Sequence, residues 1–120
     1  MQEPDIDAII TSRRQEGDAA IIGVTGEIDL HNSSALRVAI LEFLERMHPK
    51  KLIVNLNQVP YMDSSAIAVL VEALQKIRRA GGQIYLTNLQ PRVHGLLEIA
   101  RLSNFFNILP TEEEALAQAG

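Results

Sequence analysis

The chain has no cysteine and no tryptophan, and only two tyrosines and three phenylalanines among 120 residues. Without thiols there are no disulfides, no thiol catalysis and no sulfur-ligated metal; a reducing compartment agrees with that usage. Nucleic-acid binders carry a basic face with rings for stacking. Few aromatics and a net charge of −4 argue against that class. No apolar run approaches the length of a membrane span. Met1 to Asp7 holds three acids and no base, which is not the charge pattern of a signal peptide. The expectation is a cytoplasmic protein that binds neither nucleic acid nor membrane.

What is present is ordinary globular composition. Hydrophobic residues make up 47% and charged residues 22%, which excludes a disordered chain. The length suits one domain able to bury a core without staples. A single domain over 1–120 is expected, with its core over about 5–110 and a short terminal helix over about 112–118.

Residues 6–13 and 19–25 are rich in Ile, Val and Thr, with Glu16-Gly17-Asp18 between them, and read as a hairpin. Asn32, Ser33 and Ser34 offer helix caps, and Leu36, Ile40, Phe43, Leu44 and Met47 recur at helical spacing until Pro49. Residues 51–57 form a short apolar strand. A second helix begins at Asp63-Ser64 and stops at Gly81-Gly82, where glycine caps readily. Residues 83–88 read as a strand, Pro91 opens a third helix, and residues 105–109 read as a last short strand or an extended segment. Thr111 to Glu114 is a T-x-x-E capping box opening a fourth helix. Such alternation predicts an α/β fold: a mixed β-sheet of about four to five strands covered by about four helices on one side.

One stretch stands out. The strand over 51–57 leads into Asp63-Ser64-Ser65, where a helix starts. A hydroxyl there sits beside unpaired backbone N–H groups and the positive pole of the helix. A phosphate could be carried there without unfolding the domain. The bland alternative is that Asp63 or Ser64 is only an N-cap, and Asp-Ser-Ser before a helix is common capping chemistry.

Residues 54–70, VNLNQVPYMDSSAIAVL, resemble the phosphorylation segment of STAS-domain anti-sigma-factor antagonists. The turn Val24-Thr25-Gly26-Glu27-Ile28-Asp29 is similar to a second patch of that family. Residues 82–86, 93–102 and 105–108 resemble a third. The likeness covers nearly the whole chain. It departs at Ala66, where the family usually has glycine, and at Asn55, where many relatives carry aspartate.

The resemblance implies a STAS domain and a phosphorylation switch at Ser65, the second serine of the pair. The unphosphorylated protein would bind an anti-sigma factor that is also a serine kinase using ATP and Mg²⁺. Phosphorylation would end the complex, and a separate serine phosphatase would reset it. This chain would be ligand and substrate, not an enzyme, and would need no cofactor or metal. Asp29, Asp63 and Ser64 would shape the site beside Ser65.

Helix geometry suggests the docking face. Ser65, Ala68, Val69 and Glu72 share one face at spacings of three and four. Ile67, Leu70, Val71, Leu74 and Ile77 read as the core stripe, so Val69 is expected to point outward. Leu96, Leu97, Phe105 and Phe106 are expected in the core. His31, His48 and His94 share no metal-ligand spacing, and Glu27, Asp29 and Asp63 lack the nucleophile and base that would make them catalytic. Two competing functions remain: a STAS scaffold in a signalling assembly or transport system, with the serines as caps only, and a nucleotide-binding module.

Overall fold

The two central strands are apolar on both faces, and the rest of the molecule is arranged to cover them. The computed structural model describes residues 5–118. After a short 3-10 turn over Ile6–Ala8, β1 (Ile10–Glu16) and β2 (Ala19–Thr25) form an antiparallel hairpin. Its two-residue turn puts Gly17 at φ 58°, a conformation glycine adopts at no steric cost. α1 (Ser33–Met47), β3 (Lys51–Gln58), α2 (Ser64–Arg79), β4 (Gln83–Thr87), α3 (Pro91–Ile99), β5 (Asn107–Leu109) and α4 (Glu112–Ala117) follow. Strand order is β1-β2-β3-β4-β5, parallel from β2 onward. The mixed five-stranded sheet and four helices are those expected from the alternation of the sequence.

Because strand side chains alternate, each apolar strand makes two cores. Ala20, Ile22, Val24, Leu52, Val54, Ile84 and Leu86 meet α1, α2 and α3. Ala19, Ile21, Ile53 and Tyr85 lie on the reverse face and pack against Ala115 of α4. The expectation that all the helices lie on one side is therefore corrected: the fourth covers the second face because Ile21 and Ile53 would otherwise be wet. Buried Lys51 anchors it. Its ammonium donates to the carbonyls of Ala115 (2.8 Å), Leu116 (3.2 Å) and Gln118 (2.5 Å), satisfying the last turn of α4, and stands 5.4 Å from the Tyr85 ring centroid.

Two expectations about packing are corrected. The buried stripe of α2 is Ala66, Val69, Leu70, Ala73, Leu74 and Ile77, while Ile67 and Val71 are half-buried on its flank. Val69 is only 8% exposed and points into the core. The small Ala66 and Ala73 belong to the stripe because they let the helix approach the sheet. Counting large side chains alone rotates the inferred face. Phe106 and Leu97 are buried as expected, but Phe105 is 54% exposed and Leu96 half-buried. Neighbouring residues in a chain becoming extended face opposite ways, so only one phenylalanine can enter the core.

Between α2 and β4 the chain turns on Gly81 at φ 85°, and a Cβ on Gly82 would lie 2.7 Å from the Lys50 carbonyl oxygen. The glycine pair read from the sequence as a helix stop is thus required twice, once for conformation and once for close approach.

Replacing Lys51 by Met would remove three charge-assisted hydrogen bonds while keeping the apolar stem. Stability should fall by about 1–3 kcal/mol in urea unfolding. The amides of α4 should lose protection from hydrogen exchange first; unchanged exchange in α4 would show that Lys51 does not anchor it.

Candidate functional site

The loops leaving the C-terminal ends of the parallel strands gather at one edge of the sheet, where α/β folds place their sites. The loop after β2 lies along the loop after β3. The Gly26 amide donates to the Gln58 carbonyl (2.9 Å), the Ile28 amide to Tyr61 (3.1 Å), and the Asp63 amide to Ile28 (3.0 Å). Ile28 and Met62 pair as an isolated parallel bridge, and both side chains are fully buried. The loop before α3 joins them: Gln90 Nε2 donates to the Asn57 carbonyl (2.8 Å), and the Arg92 guanidinium lies 4.4 Å from the Tyr61 ring centroid.

Asp63 is the N-cap of α2. Its Oδ1 accepts the backbone amides of Ser65 (2.9 Å) and Ala66 (3.4 Å), satisfying donors that the helix cannot. The same oxygen accepts the Ser65 hydroxyl at 2.5 Å, and the nearby Leu30 amide also favours the charged form of this carboxylate. The Ser65 hydroxyl is the largest influence holding the Asp63 carboxyl below its ordinary value of 3.8, with the three amides adding to it against partial desolvation. Ser65 is half-buried on the first turn of α2, and Ser64 is exposed. The capping role and the placement of a reachable hydroxyl are therefore one arrangement.

Asp29 enters the same edge from the α1 side. Its amide donates to Asn32 Oδ1 (2.8 Å), its own Oδ1 accepts the His31 amide (2.9 Å), and its carbonyl accepts the Ser33 amide (2.8 Å). Its neighbours Ile28 and Leu30 both contact Asp63, so the fold brings Asp29 into the surroundings of Ser65. Ala68 is exposed one turn along α2. Glu72 is already engaged: its two oxygens accept Arg37 Nε (2.7 Å) and Nη2 (2.9 Å) across the α1–α2 seam, and that pairing lowers its carboxyl. Val69 leaves the set, being buried.

Leu30 is the residue that sequence reasoning missed. It is 78% exposed, standing between Asp29 and His31 on the loop that contacts Asp63. Its one signal in the sequence is an apolar side chain outside any periodic run. Among the described residues no three His, Cys, Asp or Glu side chains gather as a metal site would need, and no helix is long and apolar enough to cross a membrane.

A β-hairpin feeding a parallel sheet, with Asp-Ser-Ser at the mouth of α2, defines a STAS domain. Residues 10–115 match the STAS domain family model, and the chain belongs to that family. An anti-sigma-B factor antagonist from Listeria monocytogenes is 31% identical over 105 residues, covering 88% of this chain and 91% of the relative. The fold is shared with an anti-sigma factor antagonist from Mycobacterium paratuberculosis (TM-score 0.81, 24% identity, 95% of this chain and 96% of that one). It is shared also with the anti-sigma factor antagonist SpoIIAA in its unphosphorylated form (TM-score 0.75, 23% identity, 88% and 91%).

A carboxyl with a lowered folded-state value stabilises the protein above its unfolded value, and that contribution is lost as pH falls through the folded value. For Asp63 this places the loss below 3.8. Asp63→Asn keeps a capping oxygen without the charge. In urea unfolding across pH, wild type should exceed this variant by a constant margin near neutrality, and the margin should shrink in acid below that value. A margin unchanged in strong acid would show that the charge of Asp63 contributes nothing.

Proposed function

We propose that this chain is an anti-sigma-factor antagonist, a binding module that captures an anti-sigma factor while Ser65 is unmodified and releases it once Ser65 is phosphorylated. The observation that carries the reading is the Ser65 hydroxyl, half-buried but reachable, held on the Asp63 carboxylate at the mouth of α2 beside an exposed leucine. The docking surface comprises Ser64, Ser65 and Ala68 from α2, with Asp29 and Leu30 from the adjoining loop. Leu30 serves as the apolar anchor, since an exposed leucine gains most from being covered. Asp63 positions Ser65, and Glu72 steadies the α1–α2 pair through Arg37.

Phosphorylation adds about −1.5 to −2 of charge. It would land beside Asp63, with Glu27 and Asp29 on the same edge, while Arg37 is committed to Glu72. A partner face fitted to a neutral hydroxyl would then meet a dense negative patch, and burying that charge would outweigh the apolar contact. The helix itself tolerates the ester because its positive pole and first-turn amides face that way. Architecture survives and adhesion does not. The partner in this reading is a serine kinase using ATP and Mg²⁺, a serine phosphatase reverses the modification, and the cycle runs in the cytoplasm. This chain catalyses no step of it.

Incubation with a cognate kinase, ATP and Mg²⁺ should add one phosphate, mapped to Ser65 by mass spectrometry. Ser65→Ala should fold, bind and stay unmodified, and Ser65→Asp should bind at least about tenfold more weakly. A phosphate found on Ser64 alone would overturn the assignment. Leu30→Ser should leave thermal unfolding unchanged and cost about 1–2 kcal/mol of partner affinity by calorimetry; full affinity in that variant would remove Leu30 from the surface.

A further inference from the structure

The opposite edge of the sheet carries a feature that the Ser65 site does not use. α1 and α2 end there side by side, and a half-open cleft of about 380 Å³ lies between their last turns. That is within the range of small-molecule sites, about 300–1,000 Å³. Leu41 and Leu44 line it with half-buried apolar surface above the buried Ile77, and water on that surface is a cost that an alkyl chain would remove. Lys50 and Lys76 stand over it, and among the described residues neither is in an ion pair.

The charges select the ligand. Lys76 lies in the last turn of α2, where the helix dipole alone accounts for a cation. Its i−4 neighbour Glu72 is hydrogen-bonded to Arg37, and Lys76 acts on that carboxylate only through space. Lys50 belongs to neither helix, so the dipole does not account for it. Glu45 is the one carboxylate in the lining, and it sits on α1, leaving the Lys50 and Lys76 side for a ligand's headgroup. Of the last-turn carbonyls, those of Leu44, Lys76 and Ile77 accept the amides of His48, Ala80 and Gly82, and the two lysines offset the negative field of the rest.

We propose that this cleft binds a single-chain amphipathic anion, an alkyl carboxylate of medium length, with its chain on Leu41 and Leu44 and its carboxylate between Lys50 and Lys76. The site is independent of the Ser65 switch.

The test is a titration of the ¹⁵N-labelled full chain with monomeric decanoate, decanol and decyltrimethylammonium. Decanoate should give saturable shifts at the amides of Leu44, Lys50 and Ile77, and the cationic amphiphile should bind at least about tenfold more weakly. The double variant Lys50→Gln, Lys76→Gln should lose about tenfold in decanoate affinity with decanol unchanged. Leu44→Gln should weaken all three, and both variants should keep the wild-type fold by circular dichroism. Absence of saturation, equal binding of the cation, or shifts centred on Leu30 or Phe105 would overturn the proposal. So would association with anionic phospholipid vesicles in the absence of any response to monomeric decanoate, which would make the edge a membrane contact.

Discussion

One carboxylate ties together the parts on which the rest of this molecule depends. Asp63 caps α2 through the amides of Ser65 and Ala66, orients the Ser65 hydroxyl and lies beside the Leu30 amide of the neighbouring loop. Local chain chemistry and long-range topology meet in that group. The cap is a property of four consecutive residues, Asp63 to Ala66. The Leu30 contact exists only because β2 and β3 are parallel neighbours, so that the loops leaving them run side by side and Ile28 can bridge Met62. Remove the carboxylate and the helix start, the Ser65 hydroxyl and the exposed leucine lose their common reference.

The same side chain also sets the electrostatic condition for a switch. In the unmodified state its charge is distributed among three amides and a hydroxyl, all donors. An ester on Ser65 would turn one donor into an anion within hydrogen-bond distance of another anion. That exchange is local and large on the scale of a binding energy. It is small on the scale of the fold, whose core is held by Leu70, Leu52, Leu86 and their neighbours on the inward face of the sheet. A switch of this kind separates recognition from stability because the charged group would sit at the solvent-facing first turn of α2, while the apolar core is held further along the helix.

Much of this was legible in the sequence because periodicity and capping are local signals. The hairpin turn at Gly17, the start of α2 after Asp63, the glycine stop and the T-x-x-E cap at Thr111 all appear where the pattern puts them. What was not legible depends on contacts between distant segments. Val69 was assigned outward because Ile67 and Val71 outweigh Ala66 and Ala73 in bulk, yet the sheet accepts the face with the smaller residues. α4 crosses to the reverse face because Ile21, Ile53 and Tyr85 line up in register across three strands, which no single segment reveals. Leu30 carries no periodic mark at all. Glu72 read as an exposed face residue because its partner, Arg37, is 35 positions away on another helix.

The two places where the sequence departs from the family pattern are explained by the same separation of faces. Ala66 stands where glycine is usual, and its methyl group is fully buried against the sheet. It improves the helix and offers nothing for a docking protein to touch. Asn55 stands where aspartate is common. It accepts the Asn57 amide through Oδ1 (2.9 Å), as an aspartate could, but its Nδ2 donates to Glu112 Oε2 (2.7 Å), which an aspartate could not do. Glu112 in turn pairs with Arg14 at 3.1 Å, so asparagine completes a chain of contacts from β1 through α4 to β3 on the reverse face of the sheet. An aspartate there would set two carboxylates against each other. Both departures are thus absorbed inside the framework, on surfaces turned away from the edge that carries Ser65 and Leu30, and neither alters what an approaching partner would meet.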